Sequence, residues 1–375
     1  PISAIQYDAK MQEAERLYLE GKMDDAFELF KTLAEKGNNR AMFFMGEYYT
    51  HGYGHIAKDS AKAREWRSKG RDAGDILATL NVAYSLPNDS EERNTIFVNV
   101  FESVKNLAES GDIIAQNELA DLYTLGHGCE RNDAEGLRWL ESSAEGGYWR
   151  SMAKLGDIYI DKKNYSEAFK WYKKAVNLNY GYAQGWTGNL LDWKGDLPKD
   201  YFKANEWYRK AAEQDVDFAL NNLGCNYCAG QGCEVDYTKA AKLFEKGANL
   251  GNAYAANELG KLYRSGSGVT QDYQKALQWF EKAANGGNGN AACTIGYFYF
   301  KGLGVNIDNE KEFWWMKRSA ELGDAMGMYN TGNCYYAGRG TPCDCDAAKY
   351  WWKKAAELGN QDAKDALWNH FGIRA

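Results

Sequence analysis

A glycine recurs at Gly188, Gly224, Gly260, Gly296 and Gly332, each 36 residues after the last, and no other feature limits the fold so tightly. Further back the same place is held by Gly46, Ala120 and Gly156, with the interval from Gly156 to Gly188 shortened to 32. The 74 residues from Gly46 to Ala120 leave room for two units, so a diverged repeat is centred near Ala83. Nine units result. A self-similar period of this length marks stacked repeats rather than one globular core. Such an array reaches 375 residues without dividing into ordinary domains.

The unit from Asn252 to Gly287 shows why the period must be helical. Ala255, Leu259, Leu262 and Tyr263 are spaced i, i+4, i+7, i+8, which puts them on one face of a first helix. Gly266-Ser267-Gly268 breaks that helix, and Asp272 stands where an N-cap is needed. Tyr273, Ala276, Leu277, Phe280, Ala283 and Ala284 form the apolar stripe of a second helix, and Gly286-Gly287 supply a left-handed C-cap. Two such helices cannot bury their stripes alone, but stacked copies can. Four prolines against 39 glycines suit helices that stop often without being broken inside. Small residues at Ala255, Gly260 and Ala283 let helices approach closely. Trp66, Trp139, Trp171, Trp207, Trp279, Trp315 and Trp351 recur on the second helices and are expected as core or inter-repeat wedges.

The run Gly266 to Val269 followed by Asp272-Tyr-x-Lys-Ala-x-x-Trp-Phe-x-Lys-Ala-Ala284 resembles the Sel1-like repeat family, relatives of the tetratricopeptide repeat. The resemblance covers nearly the whole chain. It implies an all-α fold: an α-solenoid, a right-handed superhelix of antiparallel helix pairs, with first helices on the concave side. The expected organisation is a single array over 1–375. Starter helices over Ala9–Tyr18 and Asp24–Lys36 lie within 1–38, the repeats fill 39–360, and a capping helix over Gln361–Phe371 lies within 361–375. Two units depart from the pattern. The one from Tyr148 to Tyr180 lacks the Gly-x-Gly turn. The one over 75–112 has lost most signature residues and is expected to be the weakest link. For function the resemblance implies an adaptor or scaffold binding a protein or peptide. It offers two alternatives: an immunity protein that neutralises a secreted bacterial toxin, or a cysteine-rich β-lactam-binding or hydrolysing protein. A host protein is a further class of partner.

Composition and motifs speak against most other chemistry. The formal charge is −7, whereas a nucleic-acid partner needs a basic footprint. No apolar run approaches the ~18 residues of a membrane span, so insertion is not expected. Eight cysteines at irregular places (Cys129, Cys225, Cys228, Cys233, Cys293, Cys334, Cys343, Cys345) read as free thiols and favour a reducing compartment. The chain opens on Pro1, so its start assigns no compartment, and a secretory leader removed upstream remains open. Cys225, Cys228 and Cys233 crowd one unit without a fourth ligand nearby, so no metal site is expected. Ser151-Met-Ala-Lys154 matches the Ser-x-x-Lys of serine lactamases, but Ser151 falls at a small-residue packing position and no Lys-Thr-Gly accompanies it. The Gly-rich turns follow helices, not strands, so they are not phosphate cradles. No catalytic group and no cofactor is expected.

What remains is surface. On each first helix the residues two before and one after the small pivot should point away from the stripe. They vary from unit to unit while the packing positions do not. From these, Asp121, Asp157, Trp186, Asn189, Asn222, Glu258, Lys261, Tyr297, Asn330 and Asn333 are the expected protein-binding residues. Amides can bond an extended backbone, and Trp186 and Tyr297 supply the anchoring rings.

Overall fold

The computed structural model describes residues 9–178, 180–192 and 197–374; Pro1 and Ala375, the ends of the expected array, lie outside them. Among the described residues there are 21 helices and no strand, and 75% of the chain is helical. A starter pair, α1 (Ala9–Leu19) and α2 (Met23–Glu35), is followed by nine pairs and a last helix. The first four pairs are α3 (Asn39–His51) with α4 (Ser60–Asp72), α5 (Ile76–Ser85) with α6 (Glu91–Glu109), α7 (Ile113–Leu125) with α8 (Asp133–Glu145), and α9 (Trp149–Asp161) with α10 (Tyr165–Val176). Next come α11 (Gly181–Asp192) with α12 (Tyr201–Glu213), and α13 (Asp217–Ala229) with α14 (Tyr237–Asn249). The last pairs are α15 (Ala253–Ser265) with α16 (Tyr273–Asn285), α17 (Gly289–Lys301) with α18 (Asn309–Glu321), and α19 (Ala325–Ala337) with α20 (Cys345–Glu357). Helix α21 (Gln361–Phe371) follows. The chain forms two compact units, the first running to Leu190 and the second comprising Leu191, Asp192 and the residues from Pro198.

In four of the repeats one contact closes the helix pair: the pivot glycine of the first helix faces a large side chain 20 residues on, in the second helix. A Cβ added at Gly260 would lie 2.8 Å from the Phe280 ring. The same holds at Gly224 against Phe244 (2.6 Å) and at Gly296 against Met316 (2.9 Å). Gly332 meets Trp352 in the same way, and in the shortened unit Gly156 meets Tyr172 at 2.6 Å. Such distances are below any real Cβ contact, so these side chains rest on bare helix backbone. Phe280, Phe244, Tyr172 and Trp352 are accordingly buried.

The turn is equally specified. Gly266 ends α15 at φ +74°, and its N–H donates to the Leu262 carbonyl. Gly268 has φ +70°, and a Cβ there would strike the Tyr237 backbone at the start of α14, so this glycine docks one repeat on the one before. Asp272 caps α16 by accepting from the Lys275 N–H, as the sequence leads one to expect. At the far end Gly287, at φ +91°, takes the left-handed conformation, whereas Gly286 stays at −80°. In the unit without the Gly-x-Gly turn, Lys163 takes φ +57°.

The periodic tryptophans pack at the edge of the core, and at Leu140, Tyr172, Tyr208, Phe280, Met316 and Trp352 the residue after the tryptophan is the buried one. Trp279 is half-buried beside fully buried Phe280, and Trp351 is half-buried beside Trp352. Several of these outer rings carry a cation three residues on: Lys174 lies 4.0 Å from the Trp171 centroid, Lys210 4.4 Å from Trp207 and Lys282 5.0 Å from Trp279. The diverged unit over 75–112 has a core of its own. Ala83 is a buried pivot, Phe97, Phe101 and Val104 are buried, and His127 stacks on Phe97 at 4.3 Å.

Leu259 is 2% exposed within the cluster formed by Ala255, Phe280 and Ile295. Leu259→Ala should cost about 2–5 kcal/mol, read as a fall in the denaturation midpoint of the second unit. A loss below about 1 kcal/mol would show that the stripe is not a packed core.

Candidate functional site

The first helices of the two units differ in what they leave open. In the first unit their common face is filled from within. Arg150, at the start of α9, reaches back 103 residues to Glu47 on α3, with Nη1 donating to Oε2 at 2.7 Å, and also bonds the Tyr53 hydroxyl. Both charged side chains are buried. Burial pushes the Glu47 carboxyl up, but Arg150, His51 and Arg67 outweigh it and hold the group below the ordinary carboxylate range. Around the pair, Trp149 packs on Tyr18 at 5.7 Å, on Tyr53 at 5.5 Å and on Tyr180 at 4.5 Å. A second pair joins Arg40 on α3 to Asp112, the N-cap of α7, at 2.9 Å, and to Glu15 on α1 at 3.0 Å. The first and fourth repeats therefore touch across this face.

The expected binding residues of that unit are drawn into the same packing. Asp121 accepts from Lys154 Nζ at 2.6 Å. Asp157 accepts from the Tyr172 and Tyr182 hydroxyls. Trp186, expected as an anchor, stacks on Tyr172 with centroids 5.9 Å apart and planes at 3°, and meets Tyr182 edge-on. Asn189 is 4% exposed, which corrects the expectation that it points to solvent. The reason is local: Ala183, Gln184, Thr187 and Leu190 are buried too, so α11 is enclosed on nearly all sides rather than along one stripe. Ser151 is fully buried, exchanges a hydrogen bond with Ser143 at 2.7 Å and bonds Asn117, while Lys154 is turned to Asp121. The Ser-x-x-Lys match is therefore a packing residue and an ion-pair partner.

In the second unit a groove of about 600 Å³ opens between α17, α19 and α21. Phe300, Asn330, Asn333, Tyr336, Arg339, Asp362, Asp365, Asn369 and His370 are among its lining residues. Two of the expected residues, Asn330 and Asn333, meet here. Asn330 Nδ2 bonds Cys293 Sγ at 3.6 Å, and Asn333 Oδ1 accepts from Trp352 Nε1 at 3.2 Å. Tyr297, 44% exposed, stands one turn away with its ring 6.5 Å from Phe300. Tyr336, Trp352 and His370 form a ring cluster, with Tyr336 and His370 centroids 4.4 Å apart. Arg339 lies 4.7 Å over Phe300 and is gripped by Glu312, with Nε 2.9 Å from Oε2 and Nη2 2.8 Å from Oε1. The other expected residues lie outside the groove: Asn222 is half-buried on α13, while Glu258 and Lys261 pair with each other on α15 at 2.7 Å.

Phe300, Tyr336, Asp362, Asp365, Asn369 and His370 escaped the sequence reading. The signal for some of them was present. Phe300 and Tyr336 lie four residues after the pivots Gly296 and Gly332, one helical turn beyond the positions considered. Asn369 is one residue after Trp368, which stands 36 beyond Gly332 and so continues the pivot series into α21.

The cysteines are unpaired among the described residues. Burial pushes the Cys225 thiol up to about 12 and those of Cys228, Cys293 and Cys334 to about 11, far from a reactive thiolate. Among the described residues no group of three or more His, Cys, Asp and Glu side chains is arranged to hold a metal, and no helix is long and apolar enough to cross a membrane.

The Sel1 repeat model matches eight segments: 39–75, 113–148, 149–180, 182–216, 217–252, 253–288, 290–324 and 325–360. The chain belongs to the Sel1 repeat family. The one unit that the Sel1 model leaves unmatched, 76–112, is the diverged one, which nevertheless folds as the pair α5 and α6. Among solved structures, a Sel1 repeat protein from Oxalobacter formigenes is 26% identical with a TM-score of 0.61, over 81% of this chain and 89% of that one. A protective antigen present in uropathogenic Escherichia coli strains is 25% identical with a TM-score of 0.56, over 93% of this chain and 84% of that one. Sel1 repeat proteins generally mediate protein–protein interaction.

One further feature of the first unit sets a pH dependence. Glu118 on α7 is pushed up to about 7, first by burial and then by the neighbouring Asp121. The folded protein then holds this proton from about pH 4.3, where an unfolded glutamate loses it, up to about 7. Over that window Glu118 makes stability fall as pH rises. Glu118→Gln should therefore raise the melting temperature at pH 8 while changing it little at pH 4.5. An equal shift at both pH values would contradict the assignment.

Proposed function

We propose that this chain is a non-enzymatic scaffold that holds an extended segment of a partner protein in the groove between α17, α19 and α21. The observation that carries the reading is the contrast between the two first-helix faces. One is filled by Arg150, Trp149 and Tyr18, and the other stands open over about 600 Å³ with amides and rings along it. Asn330 and Asn333 can serve the backbone of an extended peptide, and Tyr336 and Tyr297 offer low-entropy ring surface at its side chains. The stripes of α17 and α19 are already spent on neighbouring helices, so affinity must come from these outward groups. Catalysis gains no support from the one motif that suggested it, since Ser151 is sealed in the core and Lys154 is paired elsewhere.

The test begins with a partner captured by pull-down and identified by mass spectrometry, followed by measured affinities of variants. Tyr336→Ala and Tyr297→Ala should each weaken binding by about 2 kcal/mol, roughly thirtyfold, and Asn330→Ala or Asn333→Ala by about 1 kcal/mol. Lys242→Ala, on the exposed face of α14, should leave it unchanged. If both tyrosine variants stay folded and bind within twofold of the parent protein, the groove is not the binding surface.

A further inference from the structure

We infer that the segment taken by this groove is basic, and that an arginine side chain of the partner lies against Asp362 and Asp365 with its guanidinium over Tyr336. The inference rests on the groove being the binding surface. It is argued from the way this chain already seats its own arginines. Arg150 lies between the Glu47 carboxylate and the faces of Tyr53 and Trp149, each centroid 5.4 Å away. Arg40 lies between Glu15 and Asp112 and over Phe43 and Phe44, both at 5.2 Å. Arg339 lies between Glu312 and Phe300. Three times a first-helix face or its rim receives a planar cation with a carboxylate at the edge and a ring beneath, which is the arrangement that favours guanidinium over ammonium.

The groove holds a fourth such set with no cation of its own. Asp362 and Asp365 stand three apart on the first turns of α21, hence on one side of that helix. Both line the groove beside Tyr336, which is 38% exposed. Asp365 accepts only from Gln361 within its own helix, and Asp362 has no ion pair or hydrogen bond among the described residues. The basic groups nearby are placed elsewhere. Arg339 is held by both Glu312 oxygens, Lys301 lies 4.8 Å from the Phe300 ring, and the His370 ring packs on Tyr336 and Trp352. The α21 wall is therefore left with two carboxylates without an ion pair next to the exposed part of the Tyr336 ring. In an extended peptide, side chains at i and i+2 project to the same side about 7 Å apart, so two arginines in that spacing can engage the pair of carboxylates together.

The experiment uses the full chain and three synthetic peptides: Gly-Arg-Ser-Arg-Gly and the counterparts with lysine or glutamate in place of both arginines, capped at both ends. Binding is followed by tryptophan fluorescence and by calorimetry. The arginine peptide should bind at least tenfold tighter than the glutamate peptide and severalfold tighter than the lysine peptide, and should weaken as salt is raised from 50 to 500 mM. The exposed pair Asp362→Asn/Asp365→Asn, checked for folding by circular dichroism, should lose at least tenfold for the arginine peptide. Equal binding of arginine and glutamate peptides, or an Asn/Asn variant within twofold of the parent, overturns the charge assignment. In that case a loss of binding in Tyr336→Ala leaves the groove standing as a binding surface. If no peptide binds at millimolar concentration, or if Tyr336→Ala has no effect on a peptide that does bind, the groove reading falls with the inference.

Discussion

The seating of a large side chain on a bare stretch of helix is the constraint from which the rest of each repeat follows. Phe280 on Gly260 brings α15 and α16 closer than any Cβ would permit, and that distance sets which flanking residues can be small alanines and which must be leucine. Where the pivot is Ala120, the residue 20 further on is Leu140, smaller than any ring, and both are buried. The pair changes together within one chain, as close packing requires. The turn glycines then fix how one such pair rests on the next, because Gly268 leaves no room for a side chain against Tyr237.

This division of labour is why the proposed binding surface lies on the outward side of the first helices. The stripes, the pivots and the turns are all consumed by stacking. Only the outward positions of the first helices are free to vary, and the two units have used that freedom differently. In the first, Arg150 and Glu47 tie repeat four to repeat one, Arg40 and Asp112 tie repeat one to repeat three, and Trp149 and Tyr18 fill what would be a groove. A buried pair of this kind loses much when one partner is removed, since the remaining charge is stranded. In the second unit the equivalent surface near α19 and α21 keeps its rings and carboxylates for something else.

Much of the fold was legible because it is local and repeated. The period, the cap at Asp272, the Gly-x-Gly turn and the last helix over Gln361–Phe371 all depend on neighbours within one unit, and periodicity reports such neighbours directly. The stripe of the second helix was legible too, Phe280 included, and the periodic Trp279 packs half-buried at the edge of that core. The candidate site was less legible. Asn330 and Asn333 were found from their register, but Tyr336 and Phe300, a turn further along, were not. Asn189 was misplaced because α11 is buried on more than its stripe. The self-contact of the first unit joins residues 103 apart, and no spacing within one repeat encodes that.

The central claim, that ring on glycine defines the repeat, is tested most directly by a double-mutant cycle at Gly260 and Phe280. On an ordinary exposed helix, Gly→Ala stabilises by up to about 1 kcal/mol. Here the added methyl meets the Phe280 ring at 2.8 Å, so Gly260→Ala should instead destabilise by about 1–3 kcal/mol. In a Phe280→Leu background, which reproduces the Ala120 and Leu140 pairing, that cost should vanish, leaving a coupling of at least about 1 kcal/mol. If Gly260→Ala proves neutral or stabilising in the parent chain, or if the two effects simply add, the pivot is not the contact on which the fold depends.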